Sequence, residues 1–222
     1  MDARARFASA VAGPDVRLDE AAFCIATVAR PDLDVDAWCG RLDELAAGCT
    51  GTTFDALRAH LADDLAFRGN VDDYGDPENS FLDAVITRRT GIPISLSVLT
   101  MEIGRRVGID IDGVGMPGHF LVRPQEADGM WCDPFHRFAL LDAEGCRRLF
   151  DQVYGGRVRF EPAFLAPTPA RAIVARMLAN LEQGPLARDA MQLAHICDLH
   201  LALPGLTADE RARLVRLRAA WN

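Results

Sequence analysis

Between Pro93 and Val107 lies a segment that can only be a buried helix, and it sets the terms for the rest of the chain. Pro93 suits the first helical position, where its missing N–H costs nothing and its fixed φ is already helical. No second proline follows before Gly108, a natural left-handed stop, and Arg105 and Arg106 sit where the negative end of the helix dipole falls. Ile94, Leu96, Val98, Leu99, Met101, Ile103 and Val107 fall on more than one face. Such a helix is wrapped by other elements and is not merely laid on them, so the sequence on both sides must supply its cover.

The cover on the C-terminal side reads as short strands. Gly113 to Met116, His119 to Arg123 and Met130 to Phe135 have strand character, and the turn-rich link from Pro124 to Gly129 predicts an antiparallel hairpin. A register pairing His119 with Asp133 sets Leu121 opposite Trp131 and Arg123 opposite Gly129, and it brings the His119 and Asp133 Cβ atoms to about 5 Å. A histidine held by a carboxylate beside the N-terminus of a buried helix supplies two of the three members of a nucleophilic triad. Its structural counterpart is a semi-buried imidazole that locks the hairpin to the helix.

These residues carry a resemblance. The order of a glycine-led helix start, a histidine on a strand and Asp-Pro on the next strand resembles the transglutaminase-like, papain-fold superfamily. Asn79-Ser80-Phe81-Leu82, Arg88 to Leu96, Pro117 to Arg123 and Asp133-Pro134-Phe135 look like its bacterial SirB-one-like branch, which also includes a module of a eukaryotic F-box protein. The resemblance covers residues 60 to 150 well and the flanks loosely. It implies an α+β fold, with a central helix packed on a small antiparallel sheet.

It also implies a difference. Catalytic members of the superfamily place a cysteine where this chain has Pro93, and proline cannot be a nucleophile. Ser95, two residues on, lies about 200° around the helix and points away, whereas Ser97, four on, lies about 40° around and roughly 6 Å deeper. Ser97 is therefore the better geometric stand-in, although a serine gains less from a helix N-terminus than a thiol does. The leading expectation is a non-catalytic or strongly diverged protein-interaction or regulatory module with a protein or peptide partner, using a cleft around His119 and Asp133. The alternative is an amide-bond hydrolase or acyltransferase with His119 as base, Asp133 orienting it and Ser97 attacking.

Composition narrows the remaining classes. A net charge of −8 argues against a nucleic-acid groove. No apolar run is long enough to span a bilayer and residues 1–13 lack a signal-peptide core, so a cytoplasmic protein without a membrane partner is expected. All 24 basic residues are arginine, which excludes P-loop, Schiff-base and lysine-base chemistry. The 6 cysteines are scattered without a close pair and read as reduced, and Cys132 should face away from Asp133 into the core. No cofactor and no metal are expected: the acidic loop lacks EF-hand spacing, and His119, Asp133 and His136 lack a recognisable zinc spacing, His136 reading as a surface residue.

The flanks read as helices. Leu18 to Ala29, Val35 to Ala47 and Thr53 to Phe67 form a helical N-terminal portion over residues 1–68. Gly69 to Ser80 is a polar loop, with Asn79 or Ser80 expected to cap a helix from Phe81 to Arg89. Together with Pro93 and Ser95, Asp76 and Asn79 are expected to line the cleft, with the loop as its lip. A helix from Asp142 to Tyr154 and a strand from Arg157 to Glu161 complete a core over residues 69–161. A helical tail over 162–222 follows, read as Arg171 to Glu182, Leu186 to Leu203 and Ala208 to Trp221, with a capping box at Thr207 and Glu210 and no clear 34-residue repeat.

Overall fold

The structure, a computed structural model, describes residues 2–219. It is an α+β fold built around α6 (Pro93–Arg106). Pro93 takes the first helical position, and Ile94, Leu96, Val98, Leu99 and Ile103 are all buried. Before it come α1 (Ala3–Ala12), α2 (Leu18–Ala26), α3 (Val35–Ala47), α4 (Phe54–Ala59) and α5 (Leu82–Arg88), and two short parallel strands, β1 (Arg68–Gly69) and β2 (Thr90–Gly91), flank the entry to α6. After it, β3 (Ile111–Val114), β4 (Leu121–Pro124), β5 (Trp131–Asp133) and β6 (Ala139–Leu141) form an antiparallel meander, followed by α7 (Ala143–Tyr154), α8 (Ala170–Gln183), α9 (Ala190–Leu201) and α10 (Ala208–Ala219). The helix α6 packs against α2, α3, α5 and α8 on some sides and β3 and β4 on another, as its all-round apolar sequence requires.

Charge pins the far end of α6. Arg106 bonds Asp19 of α2 at 2.6 Å, Asp43 of α3 at 2.6 Å and its own Glu102 at 2.8 Å. One cluster of buried side chains runs from Phe7 in α1 through α6 to Leu203 beyond α9. A second, between the outer face of the meander and α7, holds Val114, Leu121, Trp131, Cys146 and Phe150.

Several elements differ from the sequence reading for identifiable reasons. The hairpin pairs Val122 with Cys132, so Leu121 and not His119 lies opposite Asp133, and His119 precedes β4. Arg157 to Glu161 is not a strand. The helix read through Phe67 ends earlier: α4 passes into a π turn, His60–Asp64, and Ala66 is left-handed at φ 57°. The segment read as one helix from Leu186 breaks at Asp189, whose extended backbone and side-chain bond to the Gln192 N–H restart it as α9. Neither Asn79 nor Ser80 caps α5, since Phe81 stands at its N-cap and Asn79 is buried below the loop. The capping box at Thr207 and Glu210 is present, while the helix end read at Trp221 lies outside the described residues.

Candidate functional site

The start of α6 is held by a small polar frame. A Cβ on Gly91 would come within 2.7 Å of Ser95 Oγ and 3.0 Å of Val85, so only glycine lets the chain turn this tightly into Ile92 and Pro93. Ser95 Oγ accepts from the Ile92 N–H at 3.1 Å and donates to the Asn79 carbonyl at 2.6 Å. The Asn79 amide donates to the Asp73 carbonyl at 2.7 Å and accepts from the Asn70 side chain at 2.9 Å. The loop from residue 70 to 80 is thereby fastened to the N-terminus of α6. Asp76 caps the short turn Pro77–Ser80 and pairs with Arg88 at 2.6 Å.

The histidine is set by the loop before β4. Gly118 is left-handed, φ 75°, with Val153 and Tyr154 of α7 close above it. Arg176 of α8 lies over the Phe120 ring and donates to the carbonyls of Met116 and His119 at 3.2 and 2.8 Å, fixing this loop from behind. His119 Nε2 then reaches Asp133 Oδ2 at 2.9 Å, as a diagonal neighbour across β4 and β5.

Asp133 carries four hydrogen bonds. Its Oδ1 accepts from the backbone N–H groups of Phe135 and His136 at 3.0 and 3.2 Å, and its Oδ2 accepts from His119 and, at 2.7 Å, from His136 Nδ1. Burial pushes the Asp133 carboxyl up, but hydrogen bonds from His119 and then His136 outweigh it and hold the group down at about 2. Hydrogen bonding to Asp133 raises the His136 pKa in turn. The two imidazoles lie nearly parallel, 24° apart with centroids at 5.6 Å, and Phe135 stands edge-on to both. Tyr74 closes on Phe135 with centroids at 5.7 Å, which makes the 70–80 loop a wall of the same region.

The structure thus brings His119 and Asp133 together, and His136, exposed as the sequence predicts, turns its ring back onto the same carboxylate. The signal was local: an aspartate at the end of a strand followed by a tight turn offers its carboxylate to the next backbone N–H groups, carrying residue 136 back over it. His119, Asp133 and His136 each offer a ligand atom within 4.8 Å of the others and form the one such group among the described residues. Both imidazole nitrogens point at the same carboxylate oxygen, so a metal there would have to displace the two hydrogen bonds. Among the described residues, the His119 ring makes no hydrogen bond to a hydroxyl or thiol. Ser97 Oγ is buried without a partner, Ser95 is spent on the helix start, and burial raises the Cys132 pKa well above its usual range.

Asp76 lines a groove of about 340 Å³ with Tyr74, Ser80, Ile92, Asn180 and Leu186, between the loop, the start of α6 and the end of α8. Asn79 and Ser95 are wholly buried in the frame behind it, and Pro93 is buried next to Ile92. Asp133 and His136 meet a separate hollow of about 220 Å³ under α7.

A proline-started buried helix, a four-stranded antiparallel meander and a His–Asp pair between them make an α+β architecture with its central helix packed on a small sheet. The sequence profile of the Transglutaminase-like superfamily matches residues 32–179, and the chain belongs to that superfamily. A UPF0162 protein of Xylella fastidiosa is 45% identical over 130 residues, 57% of this chain and 46% of that protein. F-box only protein 21 of Mus musculus is 31% identical over 162 residues, 67% of this chain and 25% of that protein. A UPF0162 protein of Pseudomonas aeruginosa is 35% identical over 107 residues, 48% of this chain and 39% of that protein. The chain spans about half the length of the Xylella relatives it matches. No solved structure matches it.

Proposed function

We propose that this chain is a SirB-one-like member of the superfamily and acts as a non-catalytic or strongly diverged module in protein interaction or regulation, in the cytoplasm. The observation that carries the reading is the wiring of Asp133. A triad carboxylate orients one imidazole towards a nucleophile, whereas this one serves two imidazoles and two backbone N–H groups. The place of the nucleophile belongs to Pro93, and His119 is only 6% exposed. A histidine so used locks loops together.

The docking surface in this reading is the groove beside the α6 start, with Asp76, Tyr74 and Ser80 on one wall and Asn180 on the other. The frame behind it is held by Asn79 and Ser95, which are bonded to each other and to the loop. A preformed concavity in which Ile92, Leu181 and Leu186 supply apolar surface beside the polar groups suits a short peptide segment. The similarity to a protein named as an F-box protein is in keeping with a role in contacts between proteins.

The test has two arms. Hydrolysis and acyl transfer on a panel of peptide amides should show no turnover by the wild type above that of His119→Ala. Peptides selected from a display library on the full chain should lose at least about tenfold in affinity to Ser80→Trp, which fills the groove, by the arithmetic of about 1.4 kcal/mol per decade. Turnover abolished by His119→Ala overturns the reading in favour of the hydrolase or acyltransferase.

A further inference from the structure

At the end of α5 the chain turns left-handed at Arg89, φ 60° and ψ 18°. Glycine adopts this conformation at the end of a helix without penalty, and an L side chain does not. The turn itself therefore gives no reason for an arginine. Nor does the fold give its guanidinium a partner: among the described residues it makes no hydrogen bond and no ion pair, and its Nη1 is sealed from solvent with nothing to bond. It rests on the Phe67 ring, 4.6 Å from the centroid. Arg6, Arg30 and Arg106, also partly buried, each hold a carboxylate.

The open side of Arg89 faces a depression of about 410 Å³ between α3 and α5, lined by Ala37, Trp38, Arg41, Ile86, Thr87 and Arg89. A second guanidinium, Arg41, shares it. Burial, and then the like charge of Arg41, lower the Arg89 pKa. The partner of Arg41 is Glu44, three residues along α3, and with side chains 47% and 66% exposed that pair exchanges readily with a competing anion. Trp38 is fixed against Phe23, ring centroids 6.0 Å apart, and offers a flat wall beside both arginines.

We propose that this depression is a binding site for a phosphate-bearing small ligand, with Arg89 and Arg41 as its cations and Trp38 as the wall for its organic part. A phosphate monoester carries nearly two charges and three acceptor oxygens, enough to engage two guanidinium forks at once. A single carboxylate offers no more than Glu44 already gives Arg41. The whole chain carries a charge of −8, so general attraction of anions to its surface would not produce saturable binding here.

The experiment titrates the full chain with inorganic phosphate and with phenyl phosphate at constant ionic strength, reading tryptophan fluorescence, with Trp38→Phe to assign the signal. Both ligands should give saturation, phenyl phosphate the tighter, and benzoate at equal concentration should not compete. Arg41→Gln, at an exposed position, should weaken binding about tenfold, the loss of one charge-assisted contact. Arg89→Gly removes the second cation at a left-handed position that suits glycine, so the fold should survive by circular dichroism while saturation is lost. Saturation unchanged in both arginine variants means an adventitious ion only and overturns the proposal. Absence of saturation in the wild type also overturns it, as does benzoate binding as tightly as phenyl phosphate.

Discussion

Asp133→Ala is the perturbation on which the account of the site depends most. The carboxylate accepts four hydrogen bonds, and the alanine variant returns only part of them to water: the Phe135 N–H and the His119 ring are buried, while the His136 ring is half exposed and can find solvent. Each buried donor left without an acceptor costs about 1–3 kcal/mol, so the variant should lose about 3–5 kcal/mol of stability. Asp133→Asn separates geometry from charge. Its carbonyl keeps the two backbone donors, and its NH₂ can donate to both imidazoles, each of which accepts in its other neutral tautomer. What is lost is charge assistance, about 1–1.5 kcal/mol. Urea unfolding followed by circular dichroism near neutral pH measures both, and the asparagine variant should lose about a third of what the alanine variant loses. Equal losses would refute the hydrogen-bond accounting, and a loss below about 1 kcal/mol in the alanine variant would refute the claim that this carboxylate locks the turn after β5 to the loop before β4.

Three further predictions follow from the same geometry. The two serines of α6 should behave oppositely: Ser95→Ala should cost about 1–3 kcal/mol because it strips the Ile92 N–H and the Asn79 carbonyl, and Ser97→Ala should be neutral or stabilise by up to about 1 kcal/mol, since its hydroxyl is buried without a partner. Thermal unfolding of both variants checks this. Asn79→Ala should cost about 2–3 kcal/mol and expose the loop around residues 71–76 to limited proteolysis, because its side chain ties that loop through Asn70 and the Asp73 carbonyl. The third concerns pH. His136 is raised from its ordinary 6.5, so its stabilisation is complete below that value and lost as pH rises through the raised one. Asp133 is lowered from 3.8 to about 2, so its contribution is complete above 3.8 and lost as pH falls towards 2. The stability gap between wild type and His136→Ala should therefore be larger at about pH 5.5 than at about pH 8.5, though at most about 1 kcal/mol for so exposed a ring; a gap independent of pH counts against the His136–Asp133 pair.

The parts of this fold legible in the sequence are those where one residue type fixes the backbone. Pro93 and the apolar residues behind it mark α6, and Val35–Ala47 and the helix beginning at Asp142 show helical spacing, to which the structure adds caps by Asp34 and Asp142. What stayed hidden was set by contacts the local pattern does not encode. The strand β6 follows a turn made by Arg137 and Phe138, both left-handed at φ 55° and 57°, where no glycine or asparagine announces a reversal. The helix α1 is hard to read because its short, alanine-rich sequence carries only Phe7, Ala10 and Val11 as buried residues. The hairpin register missed because Gly118 turns the chain sharply, which leaves His119 outside the strand and starts the ladder at Leu121.

That last miss bears on what the His–Asp pair does. With the expected register the pair would have been a rung of the sheet, its side chains standing on one face near the helix start. In the observed register the two residues are diagonal, His119 in the loop before β4 and Asp133 at the end of β5, so their bond ties the end of β5 to the segment Met116–His119, which Arg176 ties in turn to α8. Phe135, held by the same carboxylate, meets Tyr74, and its carbonyl accepts from Gly69 N–H in β1 at 3.0 Å, so the connection continues into the loop that frames α6. The links are hydrogen bonds and aromatic contacts, one of them local between Phe135 and Asp133 and the others between separate segments, and none needs a nucleophile. In the proposed reading His119 and Asp133 therefore serve the joints they make, and the hydrolase alternative rests on an activity that His119→Ala removes while the fold persists.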